Sequence, residues 1–252
     1  MKKFAFLLFV LLPLLNSCSG DSDGENSNGL LVKKITSTSG GGSVYITNFF
    51  YNGTKLDHIT ASNRLIEYTY TGDLITEIRQ YYGSDLGVKS VFEYDGNERV
   101  VREITYSYFM DSSEKKVYTY NTDNTISYMN YSGDISNQNT LQNTGKIFNF
   151  SNGETYRIQI YDLSGNMTFK TEWTYDAKKC PFLYVTGFAK QPTVFSKYFN
   201  NTMTSNYDGS GVVTSSATYQ YTYNSSDFPV ECIENYYYSG SLSNTNTINY
   251  FY

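Results

Sequence analysis

Polar and apolar residues alternate with a period of two along most of the chain. From Ser215 to Tyr223 the odd positions are Ser, Ala, Tyr, Tyr and Tyr, and the even positions are Ser, Thr, Gln and Thr. This alternation is typical of a strand with one buried face and one face in water, and here the buried face is aromatic. Beyond the first 30 residues no stretch keeps apolar residues at helical spacing. The pattern predicts an all-β domain.

Short clusters of Gly, Asn, Asp and Ser interrupt the alternation roughly every ten to sixteen residues, a spacing typical of a β-meander. The first cluster is Asn52-Gly53, a later one is Asp176-Ala177, and the last is Gly240-Ser241. These turns predict an antiparallel meander of about fourteen strands. A sheet of that size exposes two long edges unless it closes, so we expect a closed or semi-closed barrel.

An internal repeat underlies the meander. Each copy has an aromatic residue, one spacer, a second aromatic residue, a polar turn and then branched apolar residues. Copies begin at Tyr68 (YTYTGDLITEI), Phe92 (FEYDGNERVVREI), Val117 (VYTYNTDNTISY), Phe148 (FNFSNGETYRI), Trp173 (WTYDAKKCPF) and Tyr221 (YTYNSSDFPV). If the second aromatic residue is the marker, the markers are residues 70, 94, 120, 150, 175 and 223.

The N-terminus follows a different pattern. Lys2 and Lys3 precede an apolar run from Phe4 to Leu15, which at about 1.5 Å per residue is too short to cross a ~30 Å hydrocarbon core. This order predicts a cleaved export signal over residues 1–17. The sequence Leu15-Asn16-Ser17-Cys18 resembles the lipobox of bacterial lipoproteins. The resemblance implies that Cys18 is acylated and anchors the protein to a membrane.

Residues 18–42 are rich in Ser, Gly, Asn and Asp, a composition that predicts a flexible tether, and the β domain is then expected over residues 43–252. The stretch Ser19-Gly20-Asp21-Ser22-Asp23 resembles the signal that sends lipoproteins of Bacteroidota to the outer face of the outer membrane. That resemblance implies a cell-surface location in which the domain faces outward.

Charge narrows the set of partners. Without residues 1–17, 17 basic residues face 24 acidic ones, so the formal net charge is −7. Nucleic acid rewards clustered cations, and no Lys/Arg block is present, so we expect no nucleic-acid partner. The face opposite the aromatic one carries Thr and Gln, which suit water better than lipid. The barrel is therefore predicted to be soluble, with the membrane reached through Cys18 alone.

Two resemblances concern the β domain. The Tyr-Asp-Gly turns followed by branched strands are similar to the YD repeats of RHS-type proteins. YDAKKCPF from Tyr175, KYFNNTMTS from Lys197 and YQYTYNSSDFP from Tyr219 together resemble an uncharacterised family of Bacteroidota lipoproteins. The resemblance implies a porin-like β-fold and carries no assigned function or active site. Cys180 departs from that family's usual pattern.

Residues that could carry catalysis are sparse. His58 is the only histidine, which leaves no His-pair zinc site, and a metal or cofactor is not expected. A glycoside hydrolase needs a carboxylate pair. The candidates alternate with Lys, Arg and Thr, which favours cross-strand pairing in solvent instead; they are Glu93, Glu103, Glu154, Glu172 and Glu231. We expect a protein that is not an enzyme.

Binding is the function that this composition favours. Trp173 and Tyr221 are the candidate ligand-contacting residues, because aromatic side chains in a polar interior suit a glycan or a peptide. The predicted function is a surface binding or adhesion module for glycan or protein. A structural envelope protein without a ligand and, less favoured, a glycoside hydrolase are the alternatives. Cys180 and Cys232 could form a disulfide outside the cytoplasm if the sheet brings them together.

Overall fold

The computed structural model describes residues 29–40, 42–192 and 196–252. Within them the chain forms sixteen strands and two 3-10 helices, Tyr108–Met110 and Phe188–Lys190. The strands are β1 (Lys34–Ser39), β2 (Val44–Asn52), β3 (Lys55–Ala61), β4 (Arg64–Thr71), β5 (Leu74–Tyr82), β6 (Asp85–Tyr94), β7 (Val100–Ser107), β8 (Ser112–Tyr120), β9 (Thr125–Gly133), β10 (Thr140–Asn149), β11 (Thr155–Tyr161), β12 (Met167–Lys179), β13 (Phe199–Asp208), β14 (Val213–Tyr223), β15 (Pro229–Tyr238) and β16 (Ser241–Phe251). The predicted signal over 1–17 and Cys18 lie outside the described residues. Neither of the two described helices is long and apolar enough to cross a bilayer.

Each strand pairs antiparallel with its neighbours in sequence, and β1 pairs with β16, so the sheet is a closed barrel. The all-β meander and its closure are confirmed. The predicted number of about fourteen strands is wrong. The turn expected at Asp176-Ala177 lies inside β12, and the true connection from β12 to β13 is the long segment 180–198. In addition, β1 lies within the segment 18–42 that was predicted to be a tether, so the barrel begins before residue 43.

β-Bulges recur beside the hairpin turns. Tyr70 pairs with Ile75, but Thr69 pairs with Glu77, so Thr76 is an extra residue in β5. The same shift follows the pairs Tyr94–Val100, Tyr175–Asn201 and Tyr223–Pro229. A bulge bends its strand and increases the local twist, which helps a long meander to curl into a barrel.

Partly buried tyrosines form hydrogen bonds across neighbouring repeats. The Tyr94 hydroxyl donates to the Ile75 carbonyl at 2.6 Å, and Ile75 is the partner of the preceding marker, Tyr70. Five further hydroxyls reach backbone carbonyls 19 to 23 residues earlier: Tyr51 to Val32, Tyr120 to Val100, Tyr175 to Thr155, Tyr221 to Asn201 and Tyr252 to Pro229. The repeat therefore produces a series of hydrogen bonds from tyrosine hydroxyls to backbone carbonyls around one end of the barrel.

The marker predicted at residue 150 is displaced by one position. Asn149, not Phe150, pairs with Thr155, the register that the marker tyrosines hold elsewhere. The Asn149 side-chain oxygen accepts a hydrogen bond from the Thr155 hydroxyl at 2.8 Å, while Phe150 is exposed in the turn. An amide therefore replaces the aromatic residue in this copy of the repeat.

The described residues of the β12–β13 connection, 180–192 and 196–198, close one end of the barrel, and we call them the cap segment. The Phe182 ring packs against Phe49 in a tilted arrangement at 5.5 Å between ring centroids, and Val185 packs in the same buried cluster as Leu56 and Ile59. The strand face that carries these side chains is therefore the lumen face. The turns at this end, which we call the closed end, precede β3, β5, β7, β9, β11, β13 and β15.

The opposite end, which we call the open rim, carries the other eight connections. They are two to six residues long. A hairpin of six residues extends about 10 Å at most, whereas sixteen strands at ~4.8 Å give a circumference of about 75 Å. Loops of this length do not span the mouth. The lumen is therefore closed at one end and accessible from the other.

Candidate functional site

The lumen contains a cavity of about 640 Å³ on the side formed by β8 to β14. This volume falls within the usual range for small-molecule sites, roughly 300 to 1,000 Å³. The lining combines apolar rings and branched chains with amides, hydroxyls and one cation: Lys116, Tyr128, Ile147, Ile158, Ile160, Phe169, Thr171, Trp173, Asn201, Thr204, Asn206 and Tyr219. Sequence reasoning identified only Trp173 among these residues.

Trp173 lies in β12 opposite Thr204 of β13, and its side chain is 8% exposed. It is the only tryptophan of the chain. Because it lines the cavity, it is placed where a ligand could stack on the indole. The other sequence candidate, Tyr221, is not part of this lining. Its hydroxyl donates to the Asn201 carbonyl at 3.0 Å, and its predicted contact with a ligand stays a prediction.

Tyr219, two residues before Tyr221 and on the same face of β14, lines the cavity instead. Its hydroxyl lies 3.5 Å from the Thr204 hydroxyl, and burial raises its pKa. The alternation in β14 placed both tyrosines on one face, but it could not tell which of them meets open space. That depends on the length of the cap segment, which fills the lumen next to the closed end.

Two side-chain amides provide hydrogen-bonding groups in fixed positions in the lining of the cavity. Asn206 accepts a hydrogen bond from Thr171 at 2.8 Å and donates one to Ser215 at 3.0 Å. Asn201 donates to Thr204 at 2.7 Å. These bonds hold both amides in defined orientations, and they add no charged group to the lining of the cavity. Tyr128 packs over Gly145, and a Cβ at that glycine would lie 2.1 Å from the ring.

The arrangement suits an uncharged ligand that has both apolar and hydroxyl or amide groups. Aromatic and branched side chains can cover the apolar faces, and Asn, Thr and Tyr can donate or accept hydrogen bonds. Lys116 is the only ionisable cation in the lining, and burial raises the pKa of Tyr128 to about 12, so that phenol stays neutral. A strongly charged ligand would be poorly matched here.

The closed end is held by a buried carboxylate. Glu154, in the turn before β11, is 0% exposed and accepts three backbone N–H bonds from the cap segment and the start of β13. The donors are Lys197 at 3.0 Å, Tyr198 at 2.9 Å and Phe199 at 3.3 Å. The cap segment also bonds to other closed-end turns, through Thr186 N–H to the Thr54 carbonyl at 2.9 Å.

The five glutamates proposed as glycosidase candidates are not brought together. Glu93 pairs with Arg102, and Glu172 pairs with Arg157 at 2.8 Å. The others occupy separate places: Glu103 accepts from Tyr118 at 2.7 Å in the lumen, Glu154 holds the cap segment, and Glu231 lies on β15 opposite Thr222. His58 bonds to Asp57 at 2.7 Å and stacks on Phe50 at 4.3 Å. Among the described residues no cluster of His, Cys, Asp and Glu could hold a metal ion.

The two cysteines of the barrel are not bridged. Within the described residues Cys180 and Cys232 are free and buried, so the suggested disulfide does not form in this structure. The Cys180 thiol donates to the Lys197 carbonyl at 3.2 Å under the cap segment, whereas Cys232 lies in β15 opposite Tyr221. Burial raises the pKa of both thiols to about 12, which keeps them protonated and unreactive.

The outer wall is charged. Glu77 pairs with Thr69 of β4 on the face opposite the lumen residue Ile78, and it binds Arg79 at 2.5 Å and Lys89 at 2.9 Å. Further ion pairs on outward strand positions join Arg102 to Glu93, Arg157 to Glu172 and Lys170 to Glu172. The outward positions of the described strands therefore carry ion pairs together with single exposed apolar side chains such as Met129 and Ile233.

Comparison with solved structures identifies a related fold. The chain is similar to a porin-like protein from Bacteroides vulgatus, with 16% identity, a TM-score of 0.58, and coverage of 89% of this chain and 99% of that one. It is also similar to a porin-like protein from Bacteroides uniformis, with 12% identity, a TM-score of 0.52, and coverage of 87% and 96%. These likenesses support the porin-like barrel fold. No protein-family model and no curated protein matches the sequence.

Proposed function

We propose that the protein is a lipid-anchored envelope barrel that stands in water and binds a ligand in its lumen. The cavity beside Trp173 is the observation that carries the proposal, because it combines volume, aromatic surface and oriented amides in one place. A glycan or a peptide fits this chemistry better than a lipid, since the lining of the cavity places amide and hydroxyl groups among its apolar side chains. Catalysis is not part of the proposal, because the carboxylates lie apart.

The charged outer wall supports the idea that the barrel is surrounded by water. Arg or Lys at the midplane of a lipid-facing barrel wall costs about 2 to 4 kcal/mol each. Arg79, Lys89, Arg102, Arg157 and Lys170 all lie on outward positions of the strands. Membrane attachment would then depend on Cys18, and an outer-membrane location facing outward is consistent with the residues that follow it.

The geometry of the tether agrees with this arrangement. Gly29 lies against Tyr184 of the cap segment, so the described chain begins at the closed end. Ten residues lie between Cys18 and Gly29, and the eleven steps from one to the other, at up to about 3.6 Å each, reach ~40 Å. An anchor at Cys18 would hold the closed end near the membrane and would leave the open rim pointing away from it.

Trp173 itself provides the test of ligand binding. Neutral oligosaccharides and short peptides are titrated against the full chain while tryptophan emission is recorded, and we expect a saturable change for at least one compound class. Asn206→Ala should weaken binding about tenfold, since a lost hydrogen bond is worth about 1 to 1.5 kcal/mol. Asn235→Ala on the opposite face of β15 is the matched control and should leave affinity unchanged.

Absence of any saturable binding across both compound classes would favour the alternative, a structural envelope protein without a ligand. Crosslinking to a neighbouring envelope protein would then be the informative measurement. Hydrolysis of an oligosaccharide that disappears when one of the five glutamates is changed to glutamine would instead favour the glycoside hydrolase.

Anchoring is tested separately. Wild type and Cys18→Ala are labelled with a palmitate analogue in cells, and the membranes are then extracted with alkaline carbonate. We expect label only in the wild type, and we expect the variant to appear in the extract without detergent. A variant that stays in the membrane pellet would show that the barrel wall itself contacts lipid. Protease treatment of intact cells then tests whether the barrel faces outward.

A further inference from the structure

The open rim differs from the rest of the surface because large apolar side chains project from most of its connections. Phe109 and Met110 are 63% and 74% exposed, and Leu163 is 62% exposed. Others are found around the same end: Val44, Tyr82, Ile135, Val212, Tyr238 and Leu242. In and beside the described turns of the closed end the exposed large apolar residues reach at most 46%, and they are Leu30, Phe50, Phe150, Tyr184, Val230 and Phe251. Apolar surface concentrated at one end indicates a contact surface.

Acidic residues accompany these side chains. Asp85, Asp111, Asp134, Asp162 and Asp208 lie in or next to the open-rim turns, and Arg64 is the only Lys or Arg beside those turns. Within the described residues none of the five aspartates forms an ion pair. Turn hydrogen bonds, such as Ser136 to Asp134 at 2.6 Å and Asn166 to Asp162 at 3.1 Å, hold the pKa of the Asp134, Asp162 and Asp208 carboxyls below its usual range. They are therefore ionised at neutral pH.

From the exposed apolar side chains of the open rim and the carboxylates beside them, we infer that the open rim is a docking surface for a protein partner that presents apolar side chains flanked by Lys or Arg. Charge complementarity selects this occupant. A second copy docked rim to rim would place aspartates against aspartates, and an anionic lipid surface would be repelled in the same way. The surface is separate from the lumen cavity, so the inference does not depend on a ligand beside Trp173.

The test uses the full chain in neutral phosphatidylcholine vesicles and a labelled twelve-residue peptide of alternating Lys and Leu as the probe. Fluorescence anisotropy measures binding, and the same vesicles without protein provide the baseline. Two control peptides replace Lys with Glu or Leu with Ser. We expect the Lys-Leu peptide to bind at least tenfold more tightly than either control, with affinity that falls as salt rises.

A matched pair of variants distinguishes the effect of the open-rim aspartates from the effect of the protein's net charge. The rim variant carries Asp85→Asn, Asp111→Asn and Asp162→Asn. The closed-end variant carries Asp73→Asn, Asp123→Asn and Asp227→Asn, and so changes the net charge equally. We expect the rim variant to lose at least tenfold in affinity and the closed-end variant to lose less than twofold. Phe109→Ser should weaken binding as well, whereas Phe150→Ser should not.

Four outcomes would overturn the inference. They are no binding of the Lys-Leu peptide, equal losses in the two aspartate variants, equal binding of the Lys-Ser peptide, and self-association of the wild type that Phe109→Ser abolishes. The last outcome, measured by sedimentation, would assign the rim to a second copy of the chain. Circular dichroism of each variant confirms that the barrel is intact.

Discussion

The two ends of the barrel differ in whether their acidic turn residues form ion pairs. At the closed end five of the six acidic turn residues have a cationic partner: Asp73 with Lys55, Asp95 with Arg99, Glu98 with Lys190, Asp123 with Lys146 and Asp227 with Lys178. The sixth, Glu154, accepts three backbone N–H bonds. At the open rim the five aspartates have no cationic partner within the described residues. One end pairs most of its acidic side chains with cations and partly buries its tyrosines, whereas the other leaves charge and apolar surface available.

This contrast teaches that a sheet with one repeated hairpin can have two different ends. The closed end uses the cap segment, the Glu154 carboxylate and the tyrosine hydroxyls for internal bonds. Its contacts stabilise the barrel. At the open rim Asp134, Asp162 and Asp208 accept hydrogen bonds within their own turns and form no ion pair among the described residues, so their charges are available for recognition. Stability and recognition are thereby assigned to opposite ends, and substitutions at the two ends should have different consequences.

High pH should affect the closed end most strongly. Burial raises the pKa of Tyr94 and Tyr120 to about 12, against about 10 in an unfolded chain. The fold favours the neutral phenol, so its contribution to stability is complete below pH 10 and is lost as pH rises through 12. Urea midpoints measured across this range should fall steeply.

The double variant Tyr94→Phe, Tyr120→Phe should flatten that pH dependence, because phenylalanine has no hydroxyl that can ionise. The pair Tyr106→Phe, Tyr238→Phe at the open rim is the control and should keep the wild-type profile. Equal flattening in both variants would mean that the closed end has no special role in alkaline unfolding.

Glu154→Gln should be the most damaging single substitution. An amide cannot replace a carboxylate that accepts three N–H bonds, and we expect the free energy of unfolding to fall by about 3 kcal/mol. Urea denaturation measures the change. Glu93→Gln on the outer wall, where an exposed ion pair is worth about 0 to 1 kcal/mol, is the matched control. Similar losses for the two variants would contradict the role given to Glu154.

Gly187→Ala should destabilise the cap segment. Gly187 has φ of 78°, and a Cβ there would lie 2.7 Å from the Asp73 carbonyl oxygen. Gly240 at the open rim has φ of 79° but nothing within 4 Å. Both substitutions carry the backbone penalty of about 1 kcal/mol, and only Gly187→Ala adds a steric clash, so its total should be about 2 to 3 kcal/mol. Thermal unfolding of the two variants isolates the clash.

Tyr51→Phe should have the smallest effect of these changes. The Tyr51 hydroxyl donates to the Val32 carbonyl at 2.8 Å and ties β2 to the segment before β1. Its loss should cost about 1 kcal/mol. Tyr45, in the same strand at the open rim, is 60% exposed, and Tyr45→Phe should stay within about 0.5 kcal/mol. Urea denaturation of the pair compares the two ends within one strand.

Sequence patterns predicted the fold class because alternation and turn signals are local. The closed meander follows from repeated hairpins, but β1 was missed because Ile35 is the only large apolar residue in Lys34–Ser39, and its partner Tyr250 lies at the other end of the chain. Asp176 resembled a turn residue, yet its carboxylate bonds to Asn200 and Tyr223 beside β12. Pairings distant in sequence decide such cases.

The candidate site was predictable only in part. Trp173 stood out as a lone tryptophan and lies in the lining of the cavity, while its contact with a ligand stays a prediction. Tyr219 and Asn206 gave no separate signal, because aromatic and amide residues occur in every repeat. The contrast between the two ends was also hidden, since paired and unpaired aspartates look alike in a sequence. Only the register shows which turns share an end.

The pairing of β1 with β16 has a consequence for how the protein folds. The hairpins join residues close in sequence and can form early, but Lys34 must find Phe251, more than 200 residues away. The entropy of closing so long a loop makes this pairing slow relative to the hairpins. We therefore expect an open curved sheet to accumulate first and to become a barrel only when the C-terminal strand is complete. Truncating β16 would then leave two unpaired strand edges that can pair with other chains.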